Sequence, residues 1–242
     1  MVFMTIFHGF LFSDEKMTAE DIIQNVEKLF RGSSHHGIFE MKIQTQDWHR
    51  SIKMESWAVG TEKSFIRILF PKKEKGIGFL KVGNEMWQYL PKVRRTIKIP
   101  PSMMLASWMG SDFTNDDLAR ESSLIQDYTH KLIGIKELDG ISAYQIELTS
   151  KTDAAVVWEK ILLHCTISDF IPLQEDYFDE SGQLERTVKF SDIKLLGDRK
   201  IPTRITLTRT GEPLRKTELI YHEIEFDVSI PDKIFTLNNL KK

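Results

Sequence analysis

The feature that most limits what this chain can become is a period of two that runs through most of its length. Phe39, Met41 and Ile43 alternate with Glu40, Lys42 and Gln44, and Lys53, Glu55, Trp57 and Val59 alternate with Ile52, Met54, Ser56 and Ala58. Further on, Ile161, Leu163, Cys165 and Ile167 share a face. So do Leu184, Val188 and Phe190, then Ile205 and Leu207, then Ile220, Ile224, Phe226 and Val228, with His222 on that same apolar side. Successive side chains of a strand point to opposite faces, so each run predicts a strand with one face buried. Turn residues separate the runs at Gly83-Asn84, Pro91-Lys92, Asp139-Gly140, Asp179 to Gly182, Gly197-Asp198 and Gly211-Glu212-Pro213. Short hairpins with no helices between strands imply an antiparallel sheet that curls on itself. Between 62 and 70 both phases are apolar, Phe65 with Leu69 and Ile66 with Ile68 and Phe70, so that strand is covered on both sides or faces a hydrophobic hollow.

Two stretches break the period. Thr18-Ala19-Glu20-Asp21 is a capping box, and Ile22, Val26, Leu29 and Phe30 follow at helical spacing up to Gly32, which predicts an amphipathic helix lying on the sheet. Pro100 to Leu118 is the second. Pro101 suits a first helical position, and Met103, Met104, Leu105, Trp108 and Met109 would cover most of a short helix that Gly110 ends. Thr114 and Asp117 form a second capping box. A helix apolar all round is buried on several sides or lies over something greasy. Methionine packs against irregular or changing surfaces, so the piece is either a permanent plug or a lid over variable contents.

The same stretch carries a resemblance. Trp108-Met109-Gly110-Ser111-Asp112-Phe113 through Asp117-Leu118 resembles the Met-Gly-Ser-Asp-Phe-x-x-x-Asp-Leu signature of the outer-membrane lipoprotein-sorting family, relatives of the periplasmic carriers LolA and LolB. Upstream, Trp87-Gln88-Tyr89-Leu90-Pro91-Lys92-Val93-Arg94-Arg95 is similar to that family's aromatic-x-Tyr-x-Pro-x-x-Arg-Arg run. Weaker likeness continues through Ile201-Pro202-Thr203-Arg204 and Pro231-Asp232 to Phe235-Thr236, while Trp108 and Asn115 depart from the Phe and the aromatic residue expected there. The resemblance implies a mainly β fold, an incomplete antiparallel β-barrel with an N-terminal helix and a short helical lid over an apolar cavity. It further implies a periplasmic, monomeric carrier of acylated lipoprotein or lipid, working between membrane-bound donor and acceptor proteins with transient contact to membrane surfaces. A lipid-binding accessory of an RND-type envelope transporter is the alternative, and a lipid-active hydrolase a third.

On this reading Met103, Met104, Leu105, Trp108 and Met109, with Phe65 and Leu69, cover and line the hollow. Gly110 is the hinge; Asp112, Thr114 and Asp117 are caps; Lys92, Arg94, Arg95 and Lys98 are docking residues for lipid head groups or an acidic partner. A charged edge strand that resists aggregation is the plainer reading of those cations. No nucleophile elbow, phosphate loop or His-Glu-x-x-His is present, so neither catalysis, a cofactor nor a metal site is expected. Asp112, Asp116, Asp117 and Glu121 cluster, but helix capping accounts for them. His35-His36 point to opposite faces of a strand.

Bulk properties set the remaining bounds. With 41% apolar residues in 242, one β-rich domain can bury a sizeable core, and a net charge of -2 gives no argument for nucleic acid. The lone Cys165 excludes an internal disulfide. Met1 to Ser13 is apolar except for Thr5, His8 and Ser13, too short to span a bilayer and lacking a basic start. Residues 1–16 are read as the remnant of a signal peptide, with a terminal strand as the alternative, and 17–242 as one lidded domain.

Overall fold

The computed structural model describes residues 17–119, 123–154 and 156–242; the expectation for residues 1–16 lies outside them, as does Glu121. After helix α1 (Ala19–Arg31) come β1 (Ser34–Gln44), β2 (His49–Val59), β3 (Lys63–Phe70), β4 (Gly78–Val82), β5 (Glu85–Leu90) and β6 (Arg95–Ile99). A short helix α2 (Asn115–Ala119) precedes β7 (Tyr128–Leu138), β8 (Ile141–Ser150), β9 (Lys160–Thr166) and β10 (Pro172–Phe178). The chain ends with β11 (Leu184–Leu196), β12 (Arg199–Arg209), β13 (Lys216–Phe226) and helix α3 (Leu237–Leu240).

Among the described residues thirteen strands form one sheet in the order β6-β5-β4-β3-β2-β1-β13-β12-β11-β10-β9-β8-β7. Every pairing is antiparallel. The barrel is therefore incomplete, with β6 and β7 as its two free edges. Those edges are consecutive in the chain, so the segment joining them has to travel from one rim of the open sheet to the other. Its buried side chains, Trp108 and Phe113, belong to the same apolar cluster as Met41, Ile52, Met54, Ile66, Ile68, Phe79, Val188, Ile205 and Leu207. The connection thus crosses the face on which the main core lies, and the topology itself lays a strap over that core.

Local chemistry sets the elements as expected at most positions. Thr18 and Asp21 cap α1 reciprocally, and Gly32 ends it at φ +57. Asp139-Gly140 and Gly197-Asp198 both take positive φ at two successive positions, the turn whose twist matches that of the strands it joins. Ile22, Ile23 and Val26 of α1 pack on β7 to β9, among Tyr128, Ile146, Leu163 and Cys165, while Phe30 reaches the main core. A third cluster, Phe65, Leu80 and Tyr89 with Phe235 and Leu240, lies where the C-terminal segment covers β3 to β5.

Two expectations are corrected here. Residues 102–109 are not an α-helix: only Pro101–Met103 forms a 3-10 turn, and a β-bridge pairs Ser107 with Thr114. In β13, His222 is not on the apolar side. The register slips between Ile38/Phe39 and Glu223/Tyr221, leaving His222 as the extra residue of a bulge, exposed and 3.0 Å from Glu40. Leu219 and Tyr221 face the core before the bulge, and Ile224 and Phe226 after it.

Candidate functional site

The strap is built as one stiff piece. Met109 and Gly110 take left-handed conformations in succession, at φ +54 and +80. The Trp108 N–H donates to the Phe113 carbonyl at 2.8 Å, and the Ser111 N–H donates to that of Trp108 at 2.9 Å. Asn115 ties the approach to the return: its N–H donates to the Ala106 carbonyl at 3.0 Å and its side-chain amide to that of Met103 at 2.9 Å. The Asp116 N–H donates to the Met104 carbonyl at 2.9 Å. These bonds occupy the backbone groups that a helix would have paired internally, which is why the Met-rich run is not helical.

Only part of the expected apolar set faces inward. Trp108 is fully buried with its ring 5.1 Å from that of Phe79, and Met104 and Met109 pack half-buried against the main core. Met103 and Leu105 are half exposed, a correction to their assignment over the hollow. Phe65 is likewise reassigned: it packs under the C-terminal segment, and Ile66, one residue on, lines the hollow. Leu69 is half-buried and does not line the hollow either.

Four arginines hold the strap's polar groups to the barrel. Arg50, on β2, donates to the Met109 carbonyl at 2.9 Å and pairs with Glu74. Asp112, fully buried, accepts from Arg215 Nε at 2.6 Å and from the Thr217 hydroxyl at 2.7 Å, with Arg209 Nε at 3.2 Å. Asp117 caps α2 through the Thr114 N–H at 2.8 Å and also takes both terminal nitrogens of Arg186, at 2.7 and 2.8 Å. Arg186 is itself buried, its guanidinium 4.2 Å from the Tyr177 ring centre and 4.4 Å from that of Trp158. Burial opposes the Asp117 charge, but Arg186 and the N–H and hydroxyl of Thr114 outweigh it and hold the carboxyl below the ordinary carboxylate range. The caps were legible in sequence; their arginine partners, distant along the chain, were not. Arg186 did leave a signal, a cation between Leu184 and Val188 on an otherwise apolar face.

Beneath the strap lie two hollows. One, of about 120 Å³, is lined by Phe30, Phe39, Met54, Ile66, Phe113, Leu118, Leu219 and Tyr221, with His35 and Lys63 among its polar residues. The other, of about 150 Å³, is bounded by Val26, Tyr177, Arg186 and Val188. Phe30, Phe113, Asp117 and Ile205 border both and so divide them. A cavity of about 150 Å³ holds one benzene-sized molecule. In this arrangement neither of the two hollows has room for several acyl chains.

The expected docking cations are all exposed. Arg95 and Lys98 lie on the edge strand β6, and Lys92 and Arg94 on the turn before it, Arg94 left-handed at φ +49. Lys98 pairs across the hairpin with Glu85. His35 and His36 diverge as expected, His35 lining the hollow and His36 stacking on Trp57 with its Nε2 2.9 Å from Glu55. Cys165 is buried and free. Among the described residues no group of three or more His, Cys, Asp or Glu side chains is placed to hold a metal ion, and no helix is long and apolar enough to cross a membrane.

An antiparallel sheet curled into an incomplete barrel, with a helix at its N-terminal end, is a LolA-like fold. Comparison with solved structures supports this. A LolA superfamily protein from Nitrosomonas europaea superposes with a TM-score of 0.79 at 25% identity, over 93% of this chain and 100% of that one. A domain from Vibrio parahaemolyticus described as an outer membrane lipoprotein-sorting protein gives 0.80 at 21% identity, over 93% and 98%. A DUF1329 family protein from Desulfovibrio piger gives 0.83 at 21%, over 92% and 97%. Residues 60–242 match the model of a family described as "Uncharacterized protein", and the chain belongs to that family. No curated protein matches it.

Proposed function

We propose that this protein is a periplasmic carrier that takes an acylated lipoprotein or lipid beneath the strap of residues 100–118 and passes it between envelope membranes. The observation that carries the reading is that the concave core is filled by a separately held connection rather than by an opposing wall of sheet. Trp108 and Phe113 occupy apolar space that the sheet cannot fill alone, and they are retained by polar contacts from Arg50, Arg186 and Arg215 that a displacement can break and remake. Each buried CH₂ stabilises by about 0.8 kcal/mol, so an acyl chain leaves a bilayer only for a comparably apolar volume. An empty volume of that kind exposed to water would be an aggregation-prone patch, and a strap that occupies it between loads removes the problem.

Likeness to a LolA superfamily protein at 25% identity supports an exported binder rather than an enzyme. Asp112 and Asp117, the carboxylates a hydrolase would have used, are each engaged by arginines. Residues 17–242 act on this reading as one lidded unit.

The test is uptake. Protein purified from its native envelope should carry an adduct of acyl-lipid mass in native mass spectrometry, and the delipidated protein should bind a fluorescent fatty-acyl probe. Binding should rise when Trp108 is replaced by Ser, because the strap then competes less well. Absence of both an adduct and probe binding refutes the carrier reading.

A further inference from the structure

The two ends of the barrel differ in charge. Strand register places the turns 45–48, 71–77, 91–94 and 210–215 at one end, since Gln44 pairs with both His49 and Lys216, Lys53 with Phe70, and Leu90 with Arg95. Contacts join them: a Cβ on Gly76 would lie 3.7 Å from Pro91, Arg50 bridges Glu74 to the strap at Met109, and Arg215 reaches Asp112. Exposed cations crowd there: Lys72, Lys73 and Lys75 on one turn, Lys92 and Arg94 on the next. The acidic residues of these four turns are Asp47, Glu74 and Glu212, of which Glu74 pairs with Arg50 and lies 3.8 Å from Lys73, and Glu212 lies 3.6 Å from Arg215. Large apolar side chains stand among the cations at the turn tips, Trp48, Val93 and Leu214, 46%, 60% and 59% exposed.

At the opposite end the turns Gly60-Thr61-Glu62, Gly83-Asn84, Asp139-Gly140 and Gly197-Asp198 hold small and acidic residues and no cation, and the cations that flank them are paired, Lys63 with Asp232, Arg199 with Asp227 and Lys200 with Asp169. On the cationic end the charge is also one-sided, because the β10–β11 turn carries Asp179 and Glu180.

We propose that this half-rim, the turns 45–48, 71–77, 91–94 and 210–215, is a docking surface for an anionic phospholipid bilayer. Its lysines and arginines meet the head groups, and Trp48, Val93 and Leu214 enter the interfacial layer. Cations attract an anionic surface, and amphipathic or apolar tips between them gain from leaving water, the combination that distinguishes an interfacial contact from a merely solvated edge. The acidic β10–β11 turn is repelled, so the barrel sits tilted, with the β6 side down. The strap's tip, Met109 to Asp112, is then held at the membrane-facing end by Arg50 and Arg215. The docking is independent of cargo, so it can fail while the carrier reading stands, and the reverse.

The experiment is co-sedimentation of the full chain with vesicles, either phosphatidylglycerol mixed with phosphatidylethanolamine or phosphatidylcholine alone. Attachment should favour the anionic vesicles and weaken with salt. Each cation near such a surface strengthens attachment about fivefold, so K72Q/K73Q/K75Q should weaken it about a hundredfold. W48S/L214S should weaken attachment to anionic vesicles without changing its salt dependence, and E62Q/D198N at the far end should change nothing. Unchanged melting temperatures confirm that the variants are folded. Equal attachment to both vesicle types, an unchanged triple-lysine variant, or capture of an acidic protein with no vesicle binding at low salt overturns the proposal. Probe uptake without vesicles reads the carrier function separately.

Discussion

Replacing Asp117 by Asn tests whether the strap is a separately held element. The substitution keeps the size and the ability to accept the Thr114 N–H, but leaves Arg186 as a buried cation without its bidentate partner. Breaking a buried ion pair by removing one member costs about 3–5 kcal/mol. The lower figure applies here for two reasons. The Asp117 side chain retains 19% exposure, and Arg186 keeps the faces of Tyr177 and Trp158. A penalty of about 3 kcal/mol corresponds to about a 150-fold shift in the opening equilibrium.

Hydrogen exchange read by mass spectrometry locates where that shift falls. The amides of Trp108, Ser111, Asn115 and Asp116, which bond to carbonyls within the strap, should exchange up to about 150-fold faster. Amides in the β1, β2 and β13 ladders should keep their protection. The double variant D117L/R186M removes both charges and fills the site with apolar atoms, which is often neutral or stabilising, so strap protection should recover to within about tenfold of the parent. Two results would refute the reasoning. One is D117N exchange unchanged across residues 103–116; the other is a uniform loss of protection throughout the sheet, which would mean that strap and barrel unfold as a single unit.

Other outcomes follow from named groups. Asp117, Asp227 and Asp21 have folded-state carboxyls held below their ordinary value, Asp117 chiefly by Arg186 against the opposing effect of burial, Asp227 by the N–H and hydroxyl of Ser33, and Asp21 by Thr18. A lowered folded-state pKa gives stability that is complete above the unfolded value of about 3.9 and is lost as pH falls through the folded one. Thermal stability should therefore be flat in its carboxylate contribution down to about pH 4 and fall below it, with a smaller fall in D117N; identical acid limbs in both proteins would contradict this. Burial pushes the Cys165 thiol up to about 12, so iodoacetamide at pH 8 should label the native protein only at its rate of unfolding, and fast labelling would show the cluster under α1 to be open. A methyl on Gly37 would lie 2.5 Å from the Glu223 carbonyl oxygen, beside the β13 bulge; Gly37→Ala should cost about 1–3 kcal/mol and lower the melting temperature by several degrees, and an unchanged melting point would place the bulge elsewhere.

Periodicity carried the sheet, because each strand has one buried face and hairpins leave their turn residues in the sequence. It failed where two faces are buried or where the count of two slips. Both phases of β3 read as apolar, and which phase faces the core depends on the C-terminal residues Phe235 and Leu240, far along the chain, that cover the other. At His222 the bulge shifts the phase by one. The adjacent apolar pair Ile220 and Tyr221 marked the spot, but a pattern search that assumes one phase per strand merges the two halves. The caps at Thr114 and Asp117 were local and hence visible, whereas the Asp112–Arg215 pair spans 103 residues and exists only because β13 begins beside the strap's tip.

If the protein is a carrier, the geometry assigns a direction to its energetics. An acyl chain in a bilayer is already out of water, so moving it into the barrel changes little apolar exposure. What does change is the strap, which must give up the burial of Trp108 and Phe113 and its contacts to Arg50, Arg186 and Arg215. Loading is therefore uphill by whatever closing the strap is worth, and delivery is downhill by the same amount, since a ligand shifts such an equilibrium only by its differential affinity for the two states. A strap held too weakly would load readily and fail to release; one held too strongly would not load. The buried ion pairs, which are strong only while dry and matched, set that balance at positions where single substitutions move it by a few kcal/mol.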